Sequence, residues 1–126
     1  MSWFEQPGIV LFTEDYPRCL AFYRDVLELP VLFATETVTA LKFGDGYIMV
    51  EGGGLAAPQA KSRAQSPITL RFNVADVDER AEWLRGKGVT INVSHWDWGT
   101  IGTFIDPDGN RCELRNHFDG TFAPKR

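Results

Sequence analysis

The stretch that decides the fold is Thr103-Phe-Ile-Asp-Pro-Asp-Gly-Asn-Arg-Cys-Glu-Leu-Arg115. Thr103, Phe104 and Ile105 favour a strand. Asp106 to Asn110 is turn chemistry, with Pro107 setting φ and Gly109 accepting positive φ. Cys112 and Leu114 then alternate with Glu113 and Arg115, so the second strand has an apolar face and a charged one. Such a charged face is either solvated or lines a cavity.

Working outward from this hairpin, the second half of the chain reads as one unit. Ile68 to Val74 is a strand, and Asp76-Val-Asp-Glu79 resembles a capping box. Val77, Ala81 and Leu84 mark one face of a helix that Gly86 and Gly88 end. Val89 to Val93 is a strand, and Trp96-Asp97-Trp98-Gly99 a loop. The first half has the same order. Residues 8–12 form a strand, Asp15 caps a helix carrying Cys19, Phe22, Tyr23 and Val26 on one face, and Pro30 stops it. Val31–Phe33, Val38–Phe43 and Tyr47–Val50 are strands, with a hairpin signal at Gly44-Asp45-Gly46. The halves are in register: Asp15 and Asp76 are 61 apart, as are Phe22 and Trp83, while Gly46 and Gly109 are 63 apart. Repetition of this kind implies two copies of one supersecondary unit. The expected fold is α+β, with two β-α-β-β-β modules whose mixed sheets curve around a shared cleft and whose helices lie outside. Module one covers about 7–51 and module two about 67–117, within a single domain over 1–126. The small and polar connector at 52–66 has the length of a linker or a mobile binding loop.

Composition bounds the function. A chain of 126 residues, 44% hydrophobic and 24% charged, is globular and buries one core. There is no apolar run of ~18 residues, so no membrane span is expected. The first residues lack a basic region followed by an apolar stretch, so no signal peptide is expected. A net charge of −4 without a basic stripe argues against nucleic acid. Two cysteines, Cys19 and Cys112, make no disulfide framework and read as buried thiols, which fits a cytoplasmic protein.

With both motifs in hand, the sequence resembles the vicinal oxygen chelate superfamily of glyoxalase I, bleomycin-resistance proteins and extradiol dioxygenases. The matching residues are Asp15 with Leu20-Ala-Phe-Tyr-Arg-Asp-Val-Leu-Glu-Leu-Pro30, Phe72-Asn-Val-Ala-Asp-Val-Asp78, and Phe104 to Leu114. The resemblance implies four metal-ligand positions on the first and last strands of each module. They fall here on Gly8, Met49, Thr69 and Glu113. Only Glu113 is an ordinary ligand, so no metal is expected; the alternative is a divalent ion held through Glu113, or a different site that uses Glu113 and His117. His95 and His117 read more simply as surface residues.

Strand alternation then predicts the cleft lining. Phe12, Tyr47 and Met49 supply apolar walls or belong to the core. Thr69, Arg71, Glu113 and Arg115 supply polar groups, unless Arg71 and Glu113 simply pair with each other. Trp96 and Trp98 stack on a flat or cationic ligand, or pack at the rim or in a dimer contact. Trp83 reads as core. Two functions remain open. One is a homodimeric small-molecule binder of the drug-sequestering kind. The other is a lyase or isomerase of the lactoylglutathione lyase type acting on a small oxygenated metabolite, with Glu113 as catalytic base and an arginine beside the developing oxyanion. The exposed-looking Trp3 and Phe4 suit an N-terminal arm across a dimer interface.

Overall fold

Helix capping sets the start of both helices in a computed structural model, which describes residues 3–116. The Asp15 carboxylate accepts from the Arg18 N–H at 3.2 Å, and Asp76 accepts from Glu79 at 3.1 Å. Around them the element order is β1 (Gly8–Thr13), α1 (Tyr16–Ala21), a π-helical turn (Phe22–Val26), β2 (Val31–Ala34), β3 (Val38–Phe43), β4 (Gly46–Gly52), β5 (Leu70–Val74), α2 (Val77–Gly86), β6 (Asn92–Trp96), β7 (Gly99–Ile105) and β8 (Arg111–Asn116). Two open four-stranded mixed sheets result, ordered β1-β4-β3-β2 and β5-β8-β7-β6. In each the first strand pairs parallel with the last, and the other pairings are antiparallel. The fold is α+β, with the β-α-β-β-β order present twice.

The chain forms two compact units, residues 1–59 with 107–109, and residues 60–106 with 110–126. In the first unit, Cys19, Phe22 and Tyr23 of the helical segment are buried together with Leu41, Ile48 and Val50 of the sheet. In the second, Val77, Ala81 and Leu84 are buried with Leu70, Phe104, Cys112 and Leu114. The predicted helix faces are therefore the core faces, and both cysteines are buried. No helix of the described residues is long and apolar enough to cross a membrane.

Several boundaries differ from expectation for local reasons. Pro30 does not stop the first helix. The helix widens into a π turn closed by Leu27 N–H to Phe22 O at 2.9 Å, and Glu28 then turns left-handed at φ 59°. Ile68 precedes β5 and is exposed. The strand expected over Val89–Val93 lies at Asn92–Trp96, because Gly88, Val89 and Thr90 complete the exit from α2. Trp96 consequently belongs to a strand, and the expected loop shrinks to the two-residue turn Asp97-Trp98 between paired Trp96 and Gly99. Trp83 is only half-buried. Arg80 and Lys87, one turn to either side, lie 4.8 and 3.8 Å from its ring centroid.

The connector is pinned. Within the first unit Gly54 N–H bonds Thr13 O, Ala56 N–H bonds the Glu14 carboxylate, and Ala57 N–H bonds Asp108 O. The Asp108 carboxylate in turn accepts from Glu14 N–H at 2.7 Å. Within the second unit one guanidinium, Arg111, donates to Lys61 O at 2.5 Å, Ser66 O at 2.7 Å, Ile68 O at 3.3 Å and the Thr69 hydroxyl at 3.2 Å. Charge-assisted bonds in a planar fork fix geometry as well as energy. Arg111→Ala should therefore raise amide hydrogen exchange across residues 61–69 while leaving α2 and β8 protected. Unchanged exchange over 61–69 would mean that the segment is held by other contacts.

Candidate functional site

Each sheet has one face covered by its helix and one face free of it, and strand parity assigns the predicted residues to the second. In the first unit Gly8, Val10 and Phe12 of β1 lie beside Tyr47, Met49 and Glu51 of β4. Phe12 is 54% exposed, and Tyr47 and Met49 are half-buried, so all three line this face. The Tyr47 ring lies directly over Gly8, where a Cβ would overlap the ring atoms. Here glycine is required by close approach rather than by backbone angle.

In the second unit the face is polar. Arg71 of β5 is in register with Glu113 of β8, and their side chains pair at 2.7 Å between Nε and Oε2. The pair sits at the sheet surface, with Arg71 45% exposed and Glu113 12%. Thr69, just before β5, is engaged by Arg111. Arg111 is a residue of this face that the motif reading passed over. Its parity with Glu113 was the available signal.

Arg115 departs from its expected place. It is 1% exposed and does not share the accessible surface of Arg71. Its guanidinium donates to Trp98 O at 3.1 Å and to the Asn116 carbonyl and side chain at 2.8 and 2.6 Å. It also lies 4.8 Å from the Trp98 ring centroid. Arg115 keeps the strand parity of Glu113, but the Trp98 turn folds over this end of the sheet. Trp96 and Trp98 themselves are 58% and 54% exposed, with rings nearly parallel at 4° and centroids 6.1 Å apart.

His95 is on the helix side, paired with Asp78 of α2 at 2.9 Å and exposed. His117 lies outside the described residues. Among the described residues, no three His, Cys, Asp or Glu side chains gather in a way that could hold a metal ion.

Residues 6–114 match the family model described as Glyoxalase/Bleomycin resistance protein/Dioxygenase superfamily. The chain belongs to this superfamily. The uncharacterized protein YraH of Bacillus subtilis (strain 168) is 29% identical over 119 residues, covering 84% of this chain and 93% of YraH. Two solved structures share the fold. Lactoylglutathione lyase from Agrobacterium tumefaciens superimposes with a TM-score of 0.67 at 20% identity, covering 86% of this chain and 90% of the lyase. TnmS3, an antibiotic binding protein from Streptomyces sp. CB03234, superimposes with a TM-score of 0.69 at 19% identity, covering 92% and 98%.

The contact between Gly8 and Tyr47 gives a direct test. Gly8→Ala should destabilise the protein by about 1–3 kcal/mol, the usual cost of forcing atoms into a filled site. Tyr47→Ala in the same chain should recover most of that loss, measured by a double-mutant cycle in denaturant. Additive effects of the two changes would show that the ring does not confine position 8.

Proposed function

We propose that this superfamily member binds a flat small molecule stoichiometrically, with no resident metal ion, as a drug-sequestering protein does. The observation that carries the reading is the tryptophan pair: two parallel, half-exposed indoles on one hairpin. Exposed large aromatics in an ordered pair offer a stacking surface that a soluble protein otherwise covers. TnmS3, an antibiotic binding protein with the same fold, supports the same direction.

The donor chemistry supports the metal-free part. The four positions implied by the family carry no side chain at Gly8, a thioether at Met49, a hydroxyl engaged by Arg111 at Thr69, and a carboxylate engaged by Arg71 at Glu113. This set does not fit a hard or borderline divalent ion, which asks for three or four imidazole or carboxylate donors. For the same reason a lyase or isomerase reaction is the weaker reading. It asks Glu113 to take a proton from substrate while one of its oxygens holds Arg71.

We also infer a cytoplasmic homodimer. Trp3 and Phe4 are 83% and 72% exposed and stack on each other at 4.2 Å, a ready-made apolar contact. Deleting residues 1–4 should shift the mass measured by light scattering from dimer to monomer; a dimer that persists places the interface elsewhere.

Two measurements test the binding reading. Elemental analysis and calorimetry with Ni²⁺, Zn²⁺, Mn²⁺ and Fe²⁺ should show no stoichiometric ion in the wild type. Tight binding that disappears in Glu113→Gln would overturn the metal-free reading. Titration with a planar aromatic dye, such as an acridine or an anthraquinone, should quench tryptophan emission saturably and return the dye unaltered. Trp96→Ala should weaken it by about 0.5–1.5 kcal/mol, roughly two- to tenfold in Kd. Equal quenching in wild type and variant would remove the tryptophan pair from the site.

A further inference from the structure

We infer that Arg115 is the positioning residue of the tryptophan pair: buried beneath the β6–β7 hairpin, it sets the orientation of Trp98 and does not itself contact a ligand. The inference concerns the same surface as the proposed function and explains how that surface is held.

Two exposed indoles, one at the end of β6 and one on the two-residue turn that follows, have little reason to stay parallel. Each has two free side-chain torsions, and ordering them costs conformational entropy. Something must hold the turn. The geometry assigns this task to one side chain. Arg115 donates to the Trp98 carbonyl at 3.1 Å, which fixes the backbone of the turn, and stacks on the Trp98 ring at 4.8 Å, which fixes the indole. The guanidinium is anchored from behind by the Asn116 carbonyl and side chain, and the Asn116 side chain also accepts from Thr100 N–H at 2.8 Å. The return strand of the hairpin, the tryptophan ring and the cation are thereby tied into one network.

Gly99 is the opening that makes this possible. It follows Trp98 with φ +147°, and a Cβ there would overlap Arg115 Nη1 and stand 2.7 Å from Asn116 Oδ1. Only a residue without a side chain lets the guanidinium pass under the turn. A lysine would keep the charge but lacks the planar fork that serves a carbonyl, an amide oxygen and a ring face together. One consequence concerns the ligand: the Trp98 face occupied by Arg115 is closed to it.

The test reads geometry without any ligand. Indoles held parallel at this separation bring their ring protons close enough for cross-relaxation, so isotope-labelled wild type should show nuclear Overhauser effects between the Trp96 and Trp98 rings. Trp96→Phe and Trp98→Phe should each abolish these indole–indole effects. Arg115→Met and Arg115→Lys should lose most of their intensity, while Arg80→Met, which removes a different guanidinium from an indole, should leave them intact. Effects of full intensity in a folded Arg115→Met protein would overturn the inference. Should that variant not fold, nuclear magnetic resonance of isotope-labelled wild type decides. Arg115 guanidinium protons should be shifted upfield by the Trp98 ring and exchange slowly with water, and Trp98→Leu should remove the upfield shift. Protons at ordinary positions with solvent-rate exchange would overturn it equally. Because neither readout uses a dye, a protein that shows this dependence on Arg115 yet binds no planar dye fails the proposed function and retains the inference.

Discussion

Each sheet in this protein is covered by helix on one face only, and that one-sided burial governs everything else. In β4 and β5, at Gly102–Ile105 of β7 and at Arg111–Leu114 of β8, period-two alternation then sends residues of one parity into the core and those of the other parity to the opposite face. Leu70, Cys112, Leu114 and Phe104 are core by this rule, and Arg71, Glu113 and Thr103 are not. A one-residue slip in β8 would bury Glu113 and expose Leu114, so the register is set by the cost of burying charge.

The same rule explains what could be read from the chain. Caps at Asp15 and Asp76, helix faces and strand parity depend on residues within a few positions of one another, and all were legible. Phe12, Tyr47, Met49, Arg71 and Glu113 lie on the expected strand faces for that reason, whereas Thr69 precedes β5. Arg115 has the correct parity and the wrong accessibility, because a turn 17 residues earlier folds over it. No local pattern carries that information. The connector is similar: its small, polar residues read as a linker or a mobile binding loop, and the groups that bond it, Asp108 and Arg111, lie about 50 residues downstream.

The two modules share an architecture and differ in chemistry. The helix-free face of the first is apolar and aromatic, with Tyr47 packed over Gly8. That of the second carries an ion pair and an arginine-held threonine. The matching backbones thus present two surfaces of different character, one apolar and one polar.

Arg111 holds the connector through main-chain carbonyls of Lys61, Ser66 and Ile68. Every residue type presents the same carbonyl, so this latch is indifferent to the identity of those residues. Substitutions at Ser66 and Ile68 therefore leave this latch in place, whereas adding or removing a residue would carry the acceptors away from the guanidinium. Other positions answer to their own contacts, Lys61 to the Asn110 side chain and Gly54 to the close approach of Phe12 O, so the Arg111 latch reads the length of the segment and not its sequence.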